Sequence, residues 1–257
     1  MNKQEQQNNF IKKNIFLFLI LFIWIVGSYF SWWSSYIIPA PWKVLSSALK
    51  LLKNGELFKH LIISITRIFS GFFITLLIGI PSAVIFGMFP KVYNYFKRIL
   101  EFMRHTPPLA LIPMIILWFG IGEISKIIII VLASFFPVFL NTLKGIRSCD
   151  KKLIEVGKVF NFTEYEIFKK IIFPSAIPDI LTGIKLGIGY SWRSIIGAEM
   201  IAASSGIGYL ILDGQQMSRS DVIVVGILSI GIFGSITDFI CSKVVERCIR
   251  NRGVYHE

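Results

Sequence analysis

Four ionisable side chains interrupt one long apolar stretch: Asp179, Lys185, Arg193 and Glu199 fall between Ala176 and Ile201. At the centre of a bilayer each such group costs about 2.5–3.5 kcal/mol on the translocon scale, so each needs a partner, water or a function. Asp179 and Glu199 lie near the ends of the stretch and reach an interface, whereas Arg193 lies deeper. A guanidinium matches planar and tetrahedral oxyanions with a fork of donors. Trp192, Arg193 and Glu199 are therefore the candidate lining of a passage for an anionic solute. An internal ion pair of Arg193 with Glu199 or another neighbour is the competing account. Little else suggests chemistry. Cys149, Cys241 and Cys248 fit no metal or redox spacing, and an odd, scattered set builds no disulfide framework. His60, His105 and His256 are far apart, so no metal site is expected. There is no nucleophile–base constellation and no GxxxxGK[ST] phosphate loop, so no catalytic residue is assigned and no cofactor is expected on this chain.

A second region, Lys144 to Pro174, is polar and basic between two apolar runs. Leu153, Val156, Gly157 and Phe160 share one helical face by their three-and-four spacing. Glu155 lies off that face, with Lys151 and Lys158 within a turn of it. After Asn161, Thr163 and Glu166 form a capping box that starts a second helix, with Ile167, Phe168, Ile171 and Ile172 as its apolar face and Pro174 as its end. Two such helices either lie on the bilayer surface or dock a cytosolic partner; the residues alone favour neither.

The elements that must position these groups are membrane spans. The chain is 54% hydrophobic and only 16% charged, against about 25% charged in a typical soluble domain. Its net charge of +12 comes from Lys and Arg placed between apolar runs, not from a patch with interleaved aromatics, which excludes nucleic acid as the partner. At about 20 apolar residues per crossing, six spans are expected: Asn14–Tyr36, Leu61–Phe89, Pro107–Gly120, Ile124–Leu143, Ala176–Ile201 and Val222–Val244. The first run outlasts a signal-peptide core and is expected to stay uncleaved. The third is short, and Pro113 should kink it. Residues from Tyr93 to Arg104 should lead into it along the interface. With the N-terminus inside, 18 of the 27 basic residues fall in cytoplasmic stretches and six in external ones, so both termini are expected in the cytoplasm. In the second span Gly71, Thr75, Gly79, Ala83 and Gly87 form a stripe of small residues, suited to helix packing within the subunit or to a dimer seam.

The Lys144–Pro174 segment resembles the EAA loop of permeases from ATP-binding-cassette (ABC) importers, through Glu155, Val156, Gly157, Asn161, Phe173 and Pro174. The family's Ala-Ala is Val-Gly here, and its glycine is Asn161; asparagine is the best non-glycine occupant of a left-handed turn, so the turn is expected to survive. Further matches point to the sulfonate, nitrate and taurine permeases. They are Ile38-Pro39-Ala40-Pro41 with the amphipathic stretch after it, Ser64, Arg67 and Gly71, Arg104 to Pro108, Trp118 to Glu123, Gly197 to Met200, and Ser205 to Ile211.

The resemblance implies an all-α multi-pass protein of the bacterial plasma membrane. It would have six transmembrane helices, cytoplasmic termini and two short coupling helices between spans 4 and 5. Residues 1–13 would be a cytoplasmic tail, 14–245 the permease domain with its coupling loop at 144–174, and 246–257 a basic cytoplasmic tail. It further implies two ABC ATPase subunits that use ATP and magnesium, a second permease copy, and an external solute-binding protein. Glu155, Val156, Gly157, Phe160, Asn161 and Pro174 would couple to the ATPase. A secondary transporter or channel is the alternative, but no inverted repeat or filter-like run is present.

Overall fold

The computed structural model describes residues 3–250, and every regular element among them is a helix. In chain order these are α1 (Lys3–Tyr29), α2 (Pro41–Lys53), α3 (Glu56–Met88), α4 (Pro90–His105), α5 (Ile112–Phe119), α6 (Glu123–Arg147), α7 (Lys151–Val159), α8 (Glu164–Ile167), α9 (Phe173–Ala202), α10 (Ile207–Gln216) and α11 (Ser220–Arg250). A 3-10 turn at Pro108–Leu111 precedes α5, and a π turn at Phe168–Ile172 joins α8 to α9. Among the described residues, four helices are long and apolar enough to cross a membrane: Glu56–Met88, Glu123–Arg147, the continuous Glu164–Ala202, and Ser220–Cys248.

The small-residue stripe of α3 packs inside the subunit, against α6. Gly71 faces Ile130, Gly79 faces Val138 and Gly87 faces Ile146. Thr75 and Ser134 share a hydrogen bond of 2.7 Å at the same sequence separation, 59 residues. A constant separation means parallel helices. Lipid supplies no hydrophobic drive for this pairing, so the gain is close contact between a glycine groove and β-branched knobs. Helix α9 returns antiparallel to α6, with Gly145 beside Ala176, Gly183 beside Pro137 and Asn141, and Gly187 beside Val138. Ile68, Phe72, Ile112, Ile129, Ile130, Ile188 and Ile195 fill the space between them.

Parallel α3 and α6 oblige the chain to travel back between Met88 and Glu123. From Arg67, level with Glu123, to Met88 the rise is about 31 Å at ~1.5 Å per residue. Helices α4 and α5 cover that distance as one broken pair bent by 87°. The expected span Pro107–Gly120 is instead the second arm of this pair, a 3-10 turn and a helix of eight residues. Helix α4 meets α6 in descending order: Tyr93 lies under the Arg147 guanidinium at 4.0 Å, Leu100 packs with Phe139 and Leu143, and Thr106 and Pro107 reach Leu132 and Ala133. The break also falls elsewhere than expected. Pro107 and Pro108 hold Thr106 and Pro107 extended, at ψ 118° and 125°, because a residue before proline is driven out of the α region. Pro113 sits in the first turn of α5, where its missing N–H is not needed.

Other boundaries move as well. Helix α1 stops at Tyr29, not Tyr36, before a turn with Ser31 at φ 57°. Its apolar part, Phe18–Tyr29, is shorter than a span among the described residues. Residues assigned to an N-terminal tail are helical from Lys3, and α11 runs on to Arg250; the tail beyond Arg250 lies outside the described residues. The 144–174 loop loses its first turn to α6 and its last residues to α9. The end of α1 and the starts of α2, α3, α6 and α10 gather at one end of the bundle, while Met88, Arg147 and α7–α8 gather at the other.

Candidate functional site

At the first end lies an ionic cluster that ties four separate sequence segments together. Arg67 is 4% exposed and uses all five guanidinium hydrogens. Nε and Nη2 donate to the two oxygens of Glu123 at 2.6 Å each; Nη1 donates to Glu199 at 2.8 Å and to the Ser205 carbonyl at 2.7 Å; Nη2 also donates to Ser205 Oγ at 3.1 Å. Lys126, buried beside it, reaches Glu123 at 2.9 Å. The carboxylate of Glu199 is fully buried and accepts from Ser64 Oγ at 2.8 Å and from the Gly208 N–H at 2.9 Å. Two cations balance two carboxylates, so the cluster is neutral, and it closes on the backbone of the Ser205–Gly208 loop. Gly206 has φ 112°, and any side chain there would collide with the Glu199 carboxylate. Its N–H donates to His60 Nδ1 at 2.9 Å.

This geometry redistributes the three candidate passage residues. The Arg193–Glu199 pair does not form, because six residues at about 100° each put the two side chains roughly 120° apart on the helix. Glu199 belongs to Arg67, and Trp192, 6% exposed, is packed in the core. Only Arg193 of the three is exposed, with its guanidinium 5.5 Å from the Tyr190 ring. It lines a cleft of about 700 Å³ between the proline break, α6 and α9, which it shares with Arg104.

The cluster was not anticipated, although Ser64, Arg67, Glu123, Glu199 and Ser205–Gly208 all stood out as separate motif fragments. The available signal was a charge inventory: an arginine well inside an apolar run needs either a carboxylate from another run or a watered path, and Glu123 and Glu199 were both on hand for Arg67.

At the other end α7 and α8 hang beneath α6 and α9. Asp150 caps α7 by accepting from the Lys152 N–H at 2.9 Å. Asn161 adopts φ 55°, the left-handed turn its position demands. The capping box forms as read: the Thr163 N–H donates to Glu166 at 3.0 Å, the Glu166 N–H donates to Thr163 Oγ1 at 3.3 Å, and Lys170 bridges to Glu166 at 2.9 Å. Ile167 and Ile172 are buried in a cluster with Ile146, Ala176 and Ile180, which seats the segment on the ends of both long helices.

The shared apolar face of α7 divides in two. Gly157 turns inward, where a side chain would meet Ile171 at 2.7 Å and Ile167 at 3.3 Å. Val156 and Phe160 turn outward, Phe160 being 69% exposed, with Val159 at 79% and Tyr165 at 68% beside them. Glu155 is also exposed. Pro174 does not end the second helix. In a regular helix its ring would clash with the Lys170 carbonyl, and the wide π turn at Phe168–Ile172 absorbs the mismatch so that the helix runs on to Ala202.

Comparison with known proteins agrees with this architecture. Residues 75–250 match the model of the binding-protein-dependent transport system inner membrane component family. SsuC of Bacillus subtilis, a permease named for aliphatic sulfonates transport, is 36% identical over 92% of this chain and 86% of its own length. The taurine transport system permease protein TauC of Escherichia coli is 34% identical over 84% and 80%. Among solved structures, an inward-facing MetNI methionine ABC transporter superposes with a TM-score of 0.63, at 16% identity, over 72% of this chain and 92% of that one, a likeness of fold alone. The chain therefore belongs to the binding-protein-dependent transport system inner membrane component family, and is an ABC transporter permease.

Proposed function

We propose that this permease forms the translocation path of an ATP-driven bacterial importer for a small oxyanion. Aliphatic sulfonate, taurine and nitrate are the candidates, these being the solutes for which its relatives are named. Six spans, with both termini in the cytoplasm of a bacterial plasma membrane, carry the path. Two copies pair around it, an external binding protein delivers the solute, and two cytosolic ATPase subunits bind ATP and magnesium. The α7–α8 segment is the contact with the ATPase.

The observation that carries this reading is the outward face of that segment. Val156, Val159, Phe160 and Tyr165 form an apolar tip, flanked by Lys151, Lys152 and Lys158, on a base anchored by Ile167 and Ile172. Firmly rooted helices with an uncovered aromatic tip suit a partner's groove. Gly157 and Asn161 shape the tip from within, Pro174 and its π turn set its angle to α9, and Glu155 lies at its edge. The test is co-purification of the ATPase with V159D and F160D permeases. Loss of one buried aromatic anchor costs about 2 kcal/mol or more, roughly thirtyfold in affinity, with membrane insertion unchanged. Equal ATPase recovery from all variants would make the segment a surface-lying one and end this reading.

A further inference from the structure

The cleft beside the proline break pairs two guanidiniums with an apolar wall. Arg104 lies in the last turn of α4 and Arg193 on α9, while Phe102, Leu132, Phe136 and Leu186 are among the apolar residues that line the cleft with them. Its depth in the bundle gives it meaning. Leu132 and Phe136 lie near the middle of the 25-residue α6, so both cations stand close to mid-span. Neither makes an ion pair among the described residues, in contrast to Arg67, Lys126 and Lys144, which all do. A guanidinium without a counter-charge at mid-span does not face hydrocarbon. Such a group calls for water or an incoming anion as its partner. The Arg193 guanidinium carbon stands 5.5 Å from the centre of the Tyr190 ring.

We propose that this cleft is a solute site within the permease itself, for an amphipathic organic oxyanion whose head meets Arg104 and Arg193 and whose short alkyl tail lies on Phe102, Leu132, Phe136 and Leu186. The proposal rests on the reading of the chain as a path-forming permease and deepens it. An inorganic anion would satisfy the two guanidiniums and leave an apolar surface of this extent unused, in a volume of about 700 Å³. The fork of each arginine suits a head with three or more oxygens. Selectivity for a tail would then be exercised in the membrane as well as by the delivering protein.

The test is equilibrium binding of hexane-1-sulfonate to the permease–ATPase complex in zwitterionic nanodiscs, without binding protein. R193Q and R104Q should each weaken binding about tenfold, and R193K should fall between, retaining charge without the fork. Affinity should rise about fourfold per methylene from the butane to the hexane homologue, then level off once the cleft is full. Nitrate should fail to compete at concentrations where hexane-1-sulfonate saturates. Retention of the ATPase by each variant shows that it is folded and scores the underlying reading separately. Three results would each overturn the site: binding unchanged in R193Q, nitrate competing as well as the sulfonate, or affinity climbing without limit to decane-1-sulfonate, which would mark lipid-like partitioning. Separation of the two permease copies in R193Q would assign the residue to a contact between copies, and would overturn it too.

Discussion

Replacing Glu199 with alanine tests the ionic cluster where its arithmetic is least forgiving. The wild-type cluster is neutral, with Arg67 and Lys126 against Glu123 and Glu199. E199A leaves one net positive charge and three donors without their acceptor: Arg67 Nη1, Ser64 Oγ and the Gly208 N–H. Breaking a buried ion pair from one side costs about 3–5 kcal/mol. Taking about 4 kcal/mol gives roughly a thousandfold shift in the opening of the loop that Glu199 holds. E199Q keeps the shape and one strong acceptor, so its effect should be smaller by one to two orders of magnitude. The double variant R67M/E199L removes one charge of each sign, returns the remainder to neutrality and fills the space with apolar groups, so it should recover most of the loss. Hydrogen exchange at the Ile207 and Gly208 amides of the protein in nanodiscs reads the opening directly, and a thermal unfolding midpoint in detergent reads the global effect. Exchange in E199A within tenfold of wild type, with R67M/E199L no better than E199A, would show that the cluster carries little of the loop's stability.

Two further predictions concern topology and the turn. Reporter fusions after Gly122 and Gly206 should read external, and fusions after Lys152 and Arg250 internal; an internal signal after Gly122 would refute the crossing by α4 and α5. Asn161 holds φ 55°, so N161G should be nearly neutral while N161V loses about 1–2 kcal/mol, visible as a lowered unfolding midpoint and reduced ATPase recovery. Equal midpoints for the two variants would contradict the left-handed assignment.

Local grammar was legible from the residues and long-range pairing was not. Thr163 and Glu166 lie three apart and must meet if a helix starts there, so the capping box could be read directly, while the left-handed turn at Asn161 followed from the glycine that the resembling family carries at that place. The stripe on α3 was recognisable as a packing face, but its partner was not, since only the fold sets Gly71 against Ile130 and Gly87 against Ile146. Gly157 misled for a related reason. Its spacing places it with Val156 and Phe160, yet α8 and the π turn fold back beneath α7 and claim that edge of the face for Ile167 and Ile171. The bent α4–α5 pair is hard to recognise from the residues because Lys97, Arg98 and Arg104 make α4 polar. Without those three, the stretches expected in the cytoplasm hold 15 basic residues and those expected outside hold six, so the charge count favours the same orientation with or without α4.

The two ends of the molecule are tied to the same pair of helices. Helices α6 and α9 approach closely through Gly145, Gly183 and Gly187 along their length. At one end Ile146 of α6 and Ile172 of the π turn share the cluster that roots α7 and α8; at the other, Glu123 of α6 and Glu199 of α9 both hold Arg67. A tightly packed pair fixed at both ends responds to force as a body, because close-packed interiors transmit strain instead of absorbing it. Arg193 rides on that body. The opposite wall of its cleft does not: Arg104 stands on α4, whose side chains are none of them fully buried, just before the extended break at Thr106 and Pro107. The cleft is thus bounded by one firmly tied wall and one loosely tied wall. If α7 and α8 seat in the ATPase as proposed, a push delivered through them would move Arg193 with α6 and α9 and alter its distance from Arg104 before it disturbed the packing of α6 on α9.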